Sequence, residues 1–132
     1  MRQAARRLLQ EAGKPRAEVS ILLTDDARIR ELNCTYRGYD SPTDVLSFAQ
    51  NAPEGDMVLP ALPGHPELLG DVVISVETAA RQAERHGVTL EQELALLAVH
   101  GILHLLGYED ETEAGARQMR AREQEILGFF LS

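Results

Sequence analysis

The sequence predicts an α+β fold: a single domain over residues 1–132, with one small mixed β-sheet packed with about five α-helices around a buried central helix. Three observations carry this expectation. The chain of 132 residues has room for one globular core and not two. Five stretches place apolar residues at helical spacing, and three short runs rich in Val, Ile and Leu lie among them. At 44% apolar and 26% charged, the composition is that of a folded chain, which excludes disordered and collagen-like classes.

Each element follows from local signals. Arg2 to Ala12 sets Ala5, Leu8, Leu9 and Ala12 on one helical face with arginines between them, and Gly13 and Pro15 stop it. Glu18 to Thr24 reads as a strand, and Asp25 and Asp26 open a helix that runs to about Tyr36 and buries Ile29 and Leu32. Ser41 and Pro42 break the chain before a second strand over Asp44 to Ala49. Gln50 to Leu69 holds four prolines and no period, so a long loop is expected there, of the kind that is often functional. Gly70 to Val76 is apolar enough for a strand buried on both faces. Thr78 to His86 is helical and closed by Gly87. Thr89 to Leu106 is apolar nearly all round and is the expected central helix. Gly107 ends it, and Glu111 to Leu127 forms a last helix registered by Ala116, Met119, Glu123 and Ile126.

Charge and cysteine content narrow the function classes. The net charge is −8 but uneven: residues 1–48 carry eight basic against seven acidic side chains, residues 49–132 five against fourteen. Salt-driven coating of DNA is therefore disfavoured, while a local basic surface fed by Arg2, Arg6, Arg7 and Arg37 stays open. A lone cysteine, Cys34, excludes an internal disulfide framework and fits a reducing compartment. No apolar run approaches a membrane span, and no secretory leader is visible, so a cytoplasmic location without membrane contact is expected.

Two histidines, His100 and His104, fall inside the apolar helix four residues apart. At about 100° per residue they share a face, with side-chain bases roughly 6 Å apart, so both rings can reach one ion. Burying two unsatisfied imidazoles costs about 1–3 kcal/mol each, which a metal would offset. A third ligand is expected nearby. After Gly107 comes the carboxylate run Glu109, Asp110 and Glu111, and six residues span up to about 20 Å, so Asp110 can reach the site. The competing reading is a core histidine pair hydrogen-bonded to buried carboxylates. Gly101 stands where zinc peptidases of the H-E-x-x-H type carry their glutamate base, which disfavours that class.

The run His100 to Tyr108, H-G-I-L-H-L-L-G-Y, resembles the signature of the bacterial YbeY endoribonucleases. Two further blocks resemble the same family in the same order: Leu32-Asn33 with Tyr36-Arg37-Gly38 and Pro42 to Phe48 (PTDVLSF), then Leu69 to Ser75 (LGDVVIS). The resemblance implies a metal-dependent, single-strand-specific endoribonuclease that matures ribosomal RNA at the 16S 3′ end and serves ribosome quality control. It implies one Zn2+ per chain on His100, His104 and Asp110, with Arg37 as the catalytic cation, and single-stranded rRNA, the small ribosomal subunit and its assembly proteins as partners, with no DNA. In the family the third ligand is usually histidine. An aspartate there keeps zinc workable and also admits harder divalent ions. The family also tends to carry a strand ahead of the first helix, whereas this sequence starts at that helix.

The chemistry supports that division of roles. A divalent ion lowers the pKa of bound water toward about 7, and a planar guanidinium grips phosphate through two parallel donors. No residue type selects between the RNA 2′-hydroxyl and water as the attacking oxygen. Tyr36 and Tyr39 flank Arg37 and suit base stacking or core packing equally. Asp44 and Asp71 read as caps at strand edges, and His65 and His86 as solvated. The alternative function is a ribosome-associated assembly factor with a structural metal site and no turnover.

Overall fold

The computed structural model describes residues 1–50 and 67–131, in the order α1 (Arg2–Glu11), β1 (Glu18–Thr24), α2 (Asp26–Arg37), β2 (Val45–Ala49), β3 (Leu68–Ser75), α3 (Val76–His86), α4 (Leu90–Leu105) and α5 (Glu113–Leu131). Five helices and a three-stranded mixed sheet make the predicted α+β class. The strand order is β1-β3-β2. β1 runs parallel to β3, with Leu22 opposite Val73, and β2 antiparallel to it, with Leu46 opposite the same Val73.

β3 is central, and its alternation sorts the core. Val72 and Ile74 join the large cluster with α4, while Val73, between them, joins Ile29 of α2 and Leu46 of β2 on the other face. Burial on both faces is what the near-continuous apolar run predicts. α4 is buried through Ala95, Leu97, Ala98, Val99, Ile102 and Leu103. It packs between Leu8 and Leu9 of α1, the sheet, and Met119, Ile126 and Leu127 of α5. Gly101 faces the sheet so closely that a Cβ there would lie 2.6 Å from Val72 Cγ1, and Ser47 Oγ donates to the Gly101 carbonyl at 2.9 Å. These contacts fix α4 against β2 and β3.

Several boundaries differ from expectation for identifiable reasons. The strand expected from Gly70 begins at Leu68, because Gln50 N donates to Leu69 O and extends the pairing. Val76 belongs to α3 rather than the strand: Ser75 caps that helix by accepting from Thr78 N, so β3 passes straight into α3. Asp71 therefore lies inside β3, exposed and opposite Phe48, and is no edge cap. Ala12 is exposed beyond the end of α1, and Asn33, rather than Leu32, is the second fully buried residue of α2. The predicted loop falls largely, and His65 wholly, outside the described residues.

Capping follows the sequence elsewhere. Asp25 accepts from Arg28 N at the start of α2. Thr89 and Gln92 form a reciprocal capping box on α4. Among the described residues no helix is long and apolar enough to cross a membrane.

Candidate metal centre

The centre is built at the C-terminal end of α4. Tyr108 N donates to Leu103 O at 3.0 Å and Gly107 N to His104 O at 3.1 Å, while Gly107 takes φ 102°, so the chain reverses directly after the helix. The returning segment is pinned at the start of α5. Thr112 Oγ1 accepts from Gly115 N at 3.0 Å, and a Cβ on Gly115 would lie 2.4 Å from the carbonyl oxygen of Glu109. Only a glycine lets the chain beside Asp110 settle so close to α5.

This path brings Asp110 back over the two histidines. Nε2 of His100 and Nε2 of His104 lie 3.1 Å apart, and Asp110 Oδ2 is 3.7 Å from each. The rings meet edge to face, with centroids 4.7 Å apart and planes at 80°. All three donor atoms lie within 4.8 Å of one another, and the group can hold a metal ion. A tetrahedral zinc with bonds of about 2.0–2.1 Å sets its ligand atoms about 3.3 Å apart, so two imidazole nitrogens and a carboxylate oxygen at these separations fit such an ion. Glu109 and Glu111, the other candidates in the carboxylate run, are exposed and outside the group.

His100 is oriented from behind. Its Nδ1 lies 2.6 Å from Glu123 Oε1 of α5. An ionised carboxylate only accepts, so this contact favours a proton on Nδ1, and in the neutral ring that tautomer turns the Nε2 lone pair to the ion site. The same contact raises the His100 pKa above the ordinary imidazole value, against the opposing effect of burial. One nitrogen of His100 thus meets a carboxylate, and the other is presented to His104 and Asp110.

In the sequence, Glu123 stands out only as a register mark of the last helix. The available signal was an acidic residue on the same α5 face as Met119 and Ile126, both buried. Asp44 does cap its strand, accepting from Val45 N at 2.8 Å, and it also receives Gln82 Nε2 at 3.3 Å and adds to the field at His100. His86 is not merely solvated: its Nδ1 is 3.0 Å from Oε2 of Glu93, a carboxylate buried in α4.

Arg37 is the last residue of α2, and its guanidinium lies 5.3 Å over the Tyr39 ring. Among the described residues no hydrogen bond or ion pair joins it to the histidine group. Tyr36 and Tyr39 are exposed rather than core residues, and Tyr36 stands edge-on to Phe48 at 5.2 Å.

Comparison with known proteins points one way. A family model described as Endoribonuclease YbeY matches residues 1–130. The Endoribonuclease YbeY of Moorella thermoacetica is 60% identical over 111 residues, which cover 84% of this chain and 71% of that protein. The protein of the same name from Pelotomaculum thermopropionicum is 51% identical over 128 residues, covering 96% and 81%. The solution structure of a Thermotoga maritima protein superposes with a TM-score of 0.58 at 25% identity, covering 98% of this chain and 80% of that one.

Proposed function

Because the chain belongs to the YbeY endoribonuclease family, we propose that it is a metal-dependent endoribonuclease that cleaves single-stranded ribosomal RNA during maturation and quality control of the small ribosomal subunit. The observation that carries this reading is the convergence of His100 Nε2, His104 Nε2 and Asp110 Oδ2 on one point at the end of α4. The chain works in the cytoplasm on this reading, with the small subunit and its assembly proteins as partners.

The residues divide the work by chemistry. His100, His104 and Asp110 hold one divalent ion, zinc in the first instance. When bound, it supplies positive charge beside the scissile phosphate and makes water a stronger acid near neutral pH. Glu123 keeps the His100 proton on Nδ1. Arg37 offers its planar fork to a non-bridging phosphate oxygen pair, and the exposed rings of Tyr36 and Tyr39 offer faces for unpaired bases. With a net charge of −8, the chain draws its grip on RNA from these local groups rather than from its overall field.

The test is cleavage of single-stranded and duplex ribosomal RNA fragments by the protein with and without chelation, beside His104→Ala and Arg37→Ala. Metal-dependent cutting of the single strand, lost in both variants, is expected. Cutting that survives chelation and His104→Ala overturns the metal centre. Metal binding with subunit association but no cutting identifies a structural metal in an assembly factor.

A further inference from the structure

A cavity of about 450 Å³ opens behind the metal centre, with His100 and Glu123 in the shared wall. It runs along α4 toward Glu93, two turns before His100, and is bounded by Gln82, Arg85 and His86 of α3. Leu96 and Leu97 give it an apolar side. Most polar groups around it are engaged within the protein. Glu123 holds His100, Asp44 takes Val45 N and Gln82 Nε2, and His86 Nδ1 meets Glu93 Oε2.

Among the buried groups, one oxygen of Glu93 is the exception. Glu93 is 1% exposed, and its Oε1 has no hydrogen-bond partner among the described residues. A buried acceptor left unpaired is a group waiting for a donor. Gln82 uses its amide nitrogen on Asp44, which leaves its carbonyl oxygen as a second acceptor on the same cavity.

We propose that this cavity is a nucleobase subsite that takes the RNA base next to the cleaved phosphate and selects a base carrying an exocyclic amino group, guanine first. The assignment deepens the endoribonuclease reading and rests on it. Three arguments select the occupant. Glu93 and Glu123 are each engaged by a histidine, His86 and His100, and Asp44 stands beside the single Arg85 cation, so the lining has no excess of positive charge for a phosphate and a neutral, donor-bearing group is favoured. An apolar side with a few polar atoms is the surface that a flat heterocycle fills. Guanine presents N1–H and N2–H2 side by side to a carboxylate, adenine and cytosine present one amino group, and uracil flanks its single N–H with two carbonyl oxygens that a carboxylate repels. The group of described His, Cys, Asp and Glu residues that converges for a metal is His100, His104 and Asp110, so a second ion in this cavity is not favoured.

The test uses the four ribonucleosides, which lack phosphate, titrated into the full chain while the methyl resonances of Leu96 and Leu97 are followed by NMR. Guanosine is expected to shift both and to bind about tenfold tighter than uridine. Glu93→Gln should reduce that ratio to about threefold or less. Because Glu93 is buried and that variant can fail to fold, Leu96→Phe, at a half-buried position in the wall, should independently block guanosine while keeping the melting transition. Equal binding of guanosine and uridine, shifts confined to other residues, no binding of any nucleoside, or unchanged discrimination in both variants overturns the subsite. Binding needs no turnover, so the two readings separate: metal-dependent cutting without nucleoside selectivity leaves the nuclease and removes the subsite. Selective guanosine binding in a chain that never cuts RNA does the reverse.

Discussion

Glu123 Oε1 lies 2.6 Å from Nδ1 of His100, on the ring nitrogen opposite the one that faces His104 and Asp110. The carboxylate fixes both the tautomer and the angle of the imidazole, so its removal should act on metal affinity before anything else. Glu123→Ala is expected to weaken zinc binding about 10- to 100-fold in competition with a chelating dye. Glu123→Gln, which keeps an acceptor and loses the charge, should fall between. A second readout is independent of metal. The folded-state pKa of His100 is raised, so its contribution to stability is complete below the ordinary value near 6.5 and is lost as pH rises through the raised value. In the metal-free alanine variant that midpoint, followed by NMR, should move down.

Asp110 places an oxygen beside the two histidines where the family resemblance leads one to expect nitrogen, and 46% of its side chain is exposed. A carboxylate tolerates hard ions that imidazole does not favour. Asp110→His should therefore raise the preference for zinc over manganese, measured as the ratio of dissociation constants for the two ions. An unchanged ratio would mean that Asp110 is not a ligand.

Gly101 carries a packing constraint. A Cβ there would sit 2.6 Å from Val72 Cγ1 and 3.0 Å from Ser47 Oγ. Gly101→Ala must push α4 off β3, and overpacking of this kind costs about 1–3 kcal/mol, readable as a lower denaturant midpoint. The glutamate of a zinc peptidase helix could not occupy this position without a larger displacement.

Asp26 ties two helix starts together, accepting from Ser75 Oγ, from Thr78 Oγ1 at 2.6 Å and from Arg81 at 2.8 Å. These bonds, with that from Ser75 the largest influence, hold its pKa at about 2 against an ordinary 3.8. A depressed carboxylate stabilises the fold above its unfolded value and loses that contribution as pH falls through its folded value. Stability should thus decline between pH 3.8 and about 2. In Asp26→Asn this part of the decline should vanish, with a loss at neutral pH of about 1–2 kcal/mol after allowing for partial exposure.

Elements with a strong local signal were legible in the sequence. β1 begins and ends where Glu18 and Thr24 suggest, and α4 lies between Thr89 and Gly107 because cap and terminator are both local chemistry. The histidine pair was legible for the same reason: a spacing of four is a helical property. What sequence could not supply is everything that depends on elements meeting. Glu123 is 23 residues from His100, and only the packing of α5 on α4 unites them. Gly101 read as an absent base, whereas its role is contact with Val72 across the sheet interface. Glu93 and His86 each look unremarkable until the Gly87 turn folds α3 back beside α4.

Arg37 differs from the arginines held in ion pairs, and that difference sets its test. Arg30 is clamped by Asp40 through two bonds of 2.8 and 3.2 Å, Arg81 is held by Asp26, and Arg122 lies 2.6 Å from Glu125. Arg37 has no carboxylate partner among the described residues and lies over the Tyr39 ring, which leaves its N–H donors available to phosphate. Truncating an exposed side chain with so few contacts should leave the melting transition within about 0.5 kcal/mol of the parent. If the guanidinium meets charge that develops on phosphate, Arg37→Ala should lower kcat/KM on single-stranded RNA by about 100-fold or more. Arg37→Lys keeps the charge but not the planar fork, so it should recover only part of the loss. Full activity in the alanine variant would assign Arg37 to the surface. Full recovery by lysine would show that charge alone, without bidentate geometry, is what the phosphate requires.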